Sequence, residues 1–195
     1  HAKGDPTGCL KAYGEAEKIM AGLATQFPDD ARYRRELATI DGWLGNAYGH
    51  HDYFNVENPS AAAEYFRRAY RLVEQLSATD PKNAQARLDL IIHGGKLAEV
   101  LAAMNAREDA WRYLKACSPA LGKDLEPNSY YFRVKSSCLQ ARWYVEYTTG
   151  RYAAALRTLD ELDNFNQASS SNPADLGLRE TNITSQMRRG VIYTA

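Results

Sequence analysis

Residues 28–46, PDDARYRRELATIDGWLGN, and residues 81–99, PKNAQARLDLIIHGGKLAE, are one pattern written twice, 53 positions apart. Pro28 matches Pro81, Ala31 matches Ala84, Arg34 matches Arg87, Glu36 matches Asp89, and Leu37 matches Leu90. Gly42 then matches Gly95, Leu44 matches Leu97, and Gly45 matches the equally small Ala98. A third copy opens at Pro127, 46 residues on, where Arg133 again follows by six positions before the register drifts. Repetition of this kind marks a chain built from stacked copies of one small unit.

The unit is helical. Between Ala61 and Leu76, the residues Ala62, Phe66, Ala69, Leu72, Val73 and Leu76 recur at three- and four-residue steps, and arginines with Glu74 and Gln75 fill the other face. The same spacing predicts helices over roughly 9–26, 30–49, 82–104, 107–122, 129–148, 151–165 and 174–190. No period-two run of β-branched residues and no Asn-Gly turn predicts a strand. Pro28, Pro59, Pro81, Pro127 and Pro173 each fall near a predicted helix start, where a missing N–H costs least. Asp29, Asp30, Asn58, Ser60, Asp80, Asn83, Asn128, Ser129 and Asn172 stand beside them as candidate N-caps. Short connections between eight helices predict antiparallel neighbours.

These residues resemble the tetratricopeptide repeat. Leu44, Gly45 and Tyr48 look like its first-helix set, and Ala62, Phe66 and Ala69, closed by Pro81, like its second. The next copy offers Leu97, Ala98, Leu101, Ala110, Leu114 and Cys117, closed by Pro127. Gly150, Tyr152, Ala155 and Leu159 mark the third. The periods exceed the family's usual ~34 residues, because the 49–60 loop is long and the second helices run on. Asp41 and Gly94 also stand where the family has a large residue. Such elongated repeats are similar to those in the C-terminal regions of some bacterial serine/threonine kinases. The resemblance implies an all-α, right-handed superhelical solenoid of antiparallel helix pairs. It divides the chain into a half repeat at 8–28, repeats at 29–81, 82–127 and 128–166, and a C-terminal loop and helix at 167–195.

The resemblance also implies a binding surface. First helices of such repeats line the concave side, so the expected groove comprises Thr39, Gly42, Asn46 and Gly49, then Ile92, Gly95, Lys96, Glu99 and Ala103, then Gln140, Tyr144 and Tyr147. A partner protein or peptide is the expected occupant. Tyr48, Phe66 and Trp111 are expected as wedges between helices. Some family members grip a C-terminal carboxylate with Asn and Lys at inward positions. Asn46 and Lys96 match two of these, but Glu99 replaces a second Asn and would repel a carboxylate, so a full clamp is not expected.

Composition narrows the alternatives. Lys plus Arg and Asp plus Glu are 24 each, so the basic excess that grips nucleic acid is absent. No run approaches the ~20 apolar residues of a membrane span, and no signal-peptide pattern opens the chain. The start at His1 suggests a piece of something longer. The compartment is left open: the cytoplasm is favoured, with an extracytoplasmic place open if a membrane-anchored kinase carries this segment. Cys9, Cys117 and Cys138 have no metal-ligand spacing and are expected as reduced thiols, with a Cys117–Cys138 bridge as the alternative outside the cytoplasm.

Candidate chemistry is thin. His50, His51 and Asp52 could share a metal, but no second His- or Cys-rich segment completes a ligand set, so a solvated loop is expected there. His93-Gly94-Gly95 lacks the strand and the GK[ST] pattern of a phosphate loop. Two adjacent helical glycines cost stability, and the dent they leave could receive a ligand side chain. Ser169, Ser170 and Ser171 read as a loop or hinge. No catalytic residue, cofactor or metal is expected. The expectation is a protein-interaction scaffold, the regulatory part of a larger signalling protein. The alternative is a small-molecule sensor with a pocket near Gly94 and Gly95, and self-association through an uncapped terminal face is a third outcome.

Overall fold

The computed structural model describes residues 5–115, 117, 129–169 and 176–194, and all regular structure among them is helical. In chain order the helices are α1 (Pro6–Gln26), α2 (Ala31–Gly49), α3 (Pro59–Thr79), α4 (Ala84–Ala103), α5 (Arg107–Lys115), α6 (Ser129–Thr148), α7 (Tyr152–Ser169) and α8 (Leu176–Tyr193). The predicted segments are all represented, within a few residues at their ends. The expected extension of α5 to residue 122 lies outside the described residues, apart from Cys117, which follows the helix in a turn. Pro127, Asn128, Ser170, Ser171, Asn172 and Pro173 also lie outside them. Ser169 closes α7 rather than opening a loop.

Side-chain chemistry sets the helix starts. Asp5 accepts from Gly8 N–H at 2.9 Å, Asp30 from Arg32 N–H at 3.0 Å, Asn58 from Ala61 N–H at 3.1 Å and Asn83 from Ala86 N–H at 3.0 Å. Each satisfies a backbone donor that the first helical turn leaves without a partner. Pro59 follows its cap directly, as its fixed φ favours. The α6–α7 turn passes through Gly150 at φ +78°, a left-handed conformation that a side chain resists.

Packing follows chain order: α1 on α2, α2 on α3, α3 on α4, α4 on α5, α6 on α7 and α7 on α8, with α4 also lying against α6. The main core is shared by α3, α4, α5 and α6, centred on Phe66, Ile91, Leu97, Leu101, Ala110 and Val134. Phe66 is fully buried, as expected of a wedge; Tyr48 and Trp111 are only partly buried at the core's margin. Cys117 and Cys138 are joined by a disulfide, their Cα atoms 5.9 Å apart, so the bridged alternative is the one seen. Polar clamps fasten the later helices. Thr158 donates to Glu146 at 2.6 Å across α6 and α7, and Arg189 of α8 reaches Asp160 and Asp163 of α7 at 2.8 and 2.7 Å.

The repeated glycines do the same job in both copies. A Cβ on Gly42 of α2 would lie 2.9 Å from the His93 ring of α4, and one on Gly95 of α4 would lie 3.3 Å from the Ala141 Cβ of α6. Each therefore lets the next even-numbered helix approach. Gly45 has the companion role toward the odd-numbered helix, where its Cβ would meet the Phe66 ring at 2.7 Å.

Candidate functional site: a trough lined by alternate helices

An open cavity of about 410 Å³ runs between α2, α4 and α6. Arg35, Glu36, Thr39, Gly42, Trp43 and Asn46 come from α2, Asp89, Ile92, His93 and Lys96 from α4, and Tyr130, Arg133 and Ser137 from α6. Tyr53, from the turn after α2, forms one rim. A second hollow of about 110 Å³ continues toward α1, lined by Asp5, Cys9 and Tyr13, and shares Trp43, Asn46 and Tyr53 with the first. Helices α3, α5 and α7 contribute no lining residue to either.

The electrostatics come in two halves. Arg35 Nε lies 2.6 Å from Asp89 Oδ2, while Asp89 Oδ1 also accepts from Gln85 at 2.9 Å and from the Tyr130 hydroxyl. This network is internally neutralised. The Asp89 bond holds the Arg35 pKa up, and burial together with Asp89 pushes the Tyr130 phenol well above its ordinary range. Toward the other rim, Lys96 Nζ donates to Asn46 Oδ1 at 3.1 Å and sits 4.7 Å from the Tyr53 ring centre. Arg133 lies over the Tyr130 ring at 4.8 Å. Neither Lys96 nor Arg133 has a carboxylate partner within ion-pair distance among the described residues. Both are free to meet an anionic group.

Two further features mark the trough. Trp43 is 46% exposed and Tyr53 is 42% exposed, large surfaces for residues of this kind. His93 is buried beneath Gly42, and its Nδ1 makes no hydrogen bond among the described residues. Burial lowers its pKa to about 4, so the ring is neutral at physiological pH.

Of the twelve groove residues expected from the sequence, Thr39, Gly42, Asn46, Ile92 and Lys96 line this trough, and Gly49 and Ala103 do not. Gly95 does not, because α6 covers it through Ala141. Gly94 is likewise filled: its Cβ would meet the Tyr70 ring at 3.3 Å and the Tyr113 carbonyl at 3.5 Å. The expected dent is a packing contact. Gly95→Leu should therefore lower stability by about 1–3 kcal/mol through overpacking, read as a fall in the urea midpoint; an unchanged midpoint would contradict it.

Glu99 does not line the trough but is buried against His50 and His51. Tyr144 stacks on His51 with ring centres 3.9 Å apart, and Tyr147 stacks on Trp143 at 5.7 Å, which turns both from groove contacts into packing. Gln140 is half-buried on α6, near Ser136. Nor is His50 solvated; it is almost completely buried.

Arg35, Trp43, Tyr53, Asp89, His93, Tyr130 and Arg133 also line the trough and were not among the expected groove residues. The signal was periodic. Arg35 precedes Thr39 by one helical turn, Asp89 precedes Ile92 by one, and Tyr130, Arg133 and Ser137 are the start of the stripe that continues to Gln140 and Tyr144. The trough sits about one turn nearer the N-termini of α4 and α6 than the family register places it. Compared with known proteins, the chain matches no family model, no curated protein and no solved structure.

Proposed function

We propose that this protein is an interaction module that binds an extended segment of a partner polypeptide along the trough. One observation carries the reading: the two hollows share Trp43, Asn46 and Tyr53, so the concavity is elongated and runs from α1 to α6. A linear ligand suits such a shape, whereas a small molecule is usually enclosed on most sides. The rigid aromatic surfaces of Trp43 and Tyr53 offer anchoring area at low entropic cost. Lys96 and Arg133 favour a segment that carries an acidic group beside an apolar side chain. Asn46, held by Lys96, offers the hydrogen-bonding needed to align a backbone. The mode is that of a peptide in a helical groove, and it asks for no catalytic group.

Selection of a displayed random-peptide library against the protein tests this. The enriched peptides should combine acidic and apolar residues. Their affinity should fall by at least about ten-fold in Trp43→Ala and in Lys96→Glu, each change being worth roughly 1.4 kcal/mol or more. Glu64→Lys, on the exposed face of α3, should bind as before. Peptides that bind equally well to all three variants would place the interaction elsewhere.

A further inference from the structure

His50 and His51 end the α2 segment and start the turn toward α3, and Glu99 of α4 is buried against both. Glu99 Oε2 lies 3.1 Å from His50 Nε2 and 3.5 Å from His51 Nε2. One donor atom from each of the three side chains falls within 4.8 Å of the others. Asp52 adds a carboxylate oxygen 3.4 Å from His51 Nε2.

An ordinary buried imidazole beside a carboxylate aims its ring N–H at the oxygen. His50 does not. Its Nε2 is inaccessible and makes no hydrogen bond among the described residues, although Glu99 Oε2 is only 3.1 Å away. The oxygen stands off the N–H direction. Both nitrogens instead surround the same carboxylate oxygen, the arrangement of groups that converge on one cation.

We propose that His50, His51 and Glu99 bind a divalent transition-metal ion of the zinc class, with Asp52 in reach as a fourth ligand. Bonds of ~2.0–2.2 Å in a tetrahedral site place neighbouring donor atoms roughly 3.3–3.6 Å apart. The separations of 3.1, 3.4 and 3.5 Å lie close to that spacing. Two imidazoles with carboxylate suit zinc, cobalt or nickel better than calcium or magnesium, which prefer all-oxygen sets. The rings are held in place before any ion arrives. His51 stacks on Tyr144 at 3.9 Å and lies nearly parallel to His50 at 4.8 Å, and Phe66 meets His50 edge-on at 5.9 Å.

The nearby charges are balanced, Lys96 and Arg188 against Glu99 and Asp52, so affinity comes from coordination rather than from a net field. Without metal, the backbone N–H of Asp52 donates to His50 Nδ1 at 3.3 Å, which leaves the ring proton on Nε2. Ligation through Nε2 moves that proton to Nδ1 and gives up this long bond. None of the ligands lines the trough, so the site stands apart from the peptide reading.

The full chain, stripped with chelator, is titrated with Zn²⁺ by calorimetry and with Co²⁺ by visible absorption, and folding of each variant is checked by circular dichroism. One ion per chain is expected, with a rise in Tm. His51→Ala, at a partly exposed side chain, and Glu99→Gln should each weaken binding by more than about ten-fold. His1→Ala should leave it unchanged. If Glu99→Gln fails to fold, His51→Ala decides alone. Absence of stoichiometric binding, binding indifferent to His51→Ala, or binding lost in His1→Ala would each overturn the proposal.

Discussion

Phe66→Ala is expected to cost about 3–5 kcal/mol, a large share of the ~5–15 kcal/mol that holds an ordinary domain folded. The ring is wholly buried in the core shared by α3, α4, α5 and α6, so its removal leaves a cavity among packed helices. Its tight seating against α2 comes from Gly45, where a Cβ would stand 2.7 Å from Cζ and 2.8 Å from Cε2. An aromatic ring cannot bend away, so Gly45→Ala should also destabilise. The clash, at about 1–3 kcal/mol, outweighs the ~1 kcal/mol that alanine gains over glycine in a helix. In a Phe66→Leu background the crowding disappears, and Gly45→Ala should become neutral or favourable. Urea unfolding of the four proteins gives the coupling directly, expected at about 1–3 kcal/mol. Additive losses would mean that the two residues do not meet as described.

Asp41→Asn should stabilise the protein by about 1–3 kcal/mol at pH 8 and by almost nothing at pH 4. Asp41 is fully buried in α2, and neither carboxylate oxygen makes a hydrogen bond among the described residues. Arg68 stands 3.2 Å from Oδ1 but is shared with Glu17. Burial therefore raises the Asp41 pKa from its ordinary 3.8 to about 7, with Arg68 pulling it down and Glu17 pushing it up.

Between those two values the folded protein keeps a proton that the unfolded chain has released. Stability accordingly declines as pH rises through this window, and the full cost is present above it. His93 slopes the other way. Its folded pKa is lowered from 6.5 to about 4, so stability is lost as pH falls through that range. Asparagine at position 41 removes the first slope and leaves the second. Denaturant midpoints measured from pH 4 to pH 8 should then rise with pH in the variant more steeply than in the parent. Parallel profiles would mean that Asp41 is charged and well paired throughout.

The periodic apolar spacing, the Asp and Asn caps and the prolines made eight helices and most of their boundaries legible, because helix starts and faces are set by residues within a turn or two of each other. The repetition of Gly42 at Gly95 was equally visible, but both read as groove positions, not as places where helices approach. What the repeat alone left open was which surface approaches. The paired glycine positions read as a dent, yet Tyr70 and Ala141 fill them. Glu99 read as a groove residue, yet it is buried beside two histidines 48 and 49 positions earlier in the chain. That meeting depends on how far the turn after α2 folds back over α4, and local spacing carries no record of it. The trough shows the same division: the side of each even-numbered helix that faces inward is a property of its own sequence. Its position along the helices is decided only when the turn after α2 brings Tyr53 over one rim.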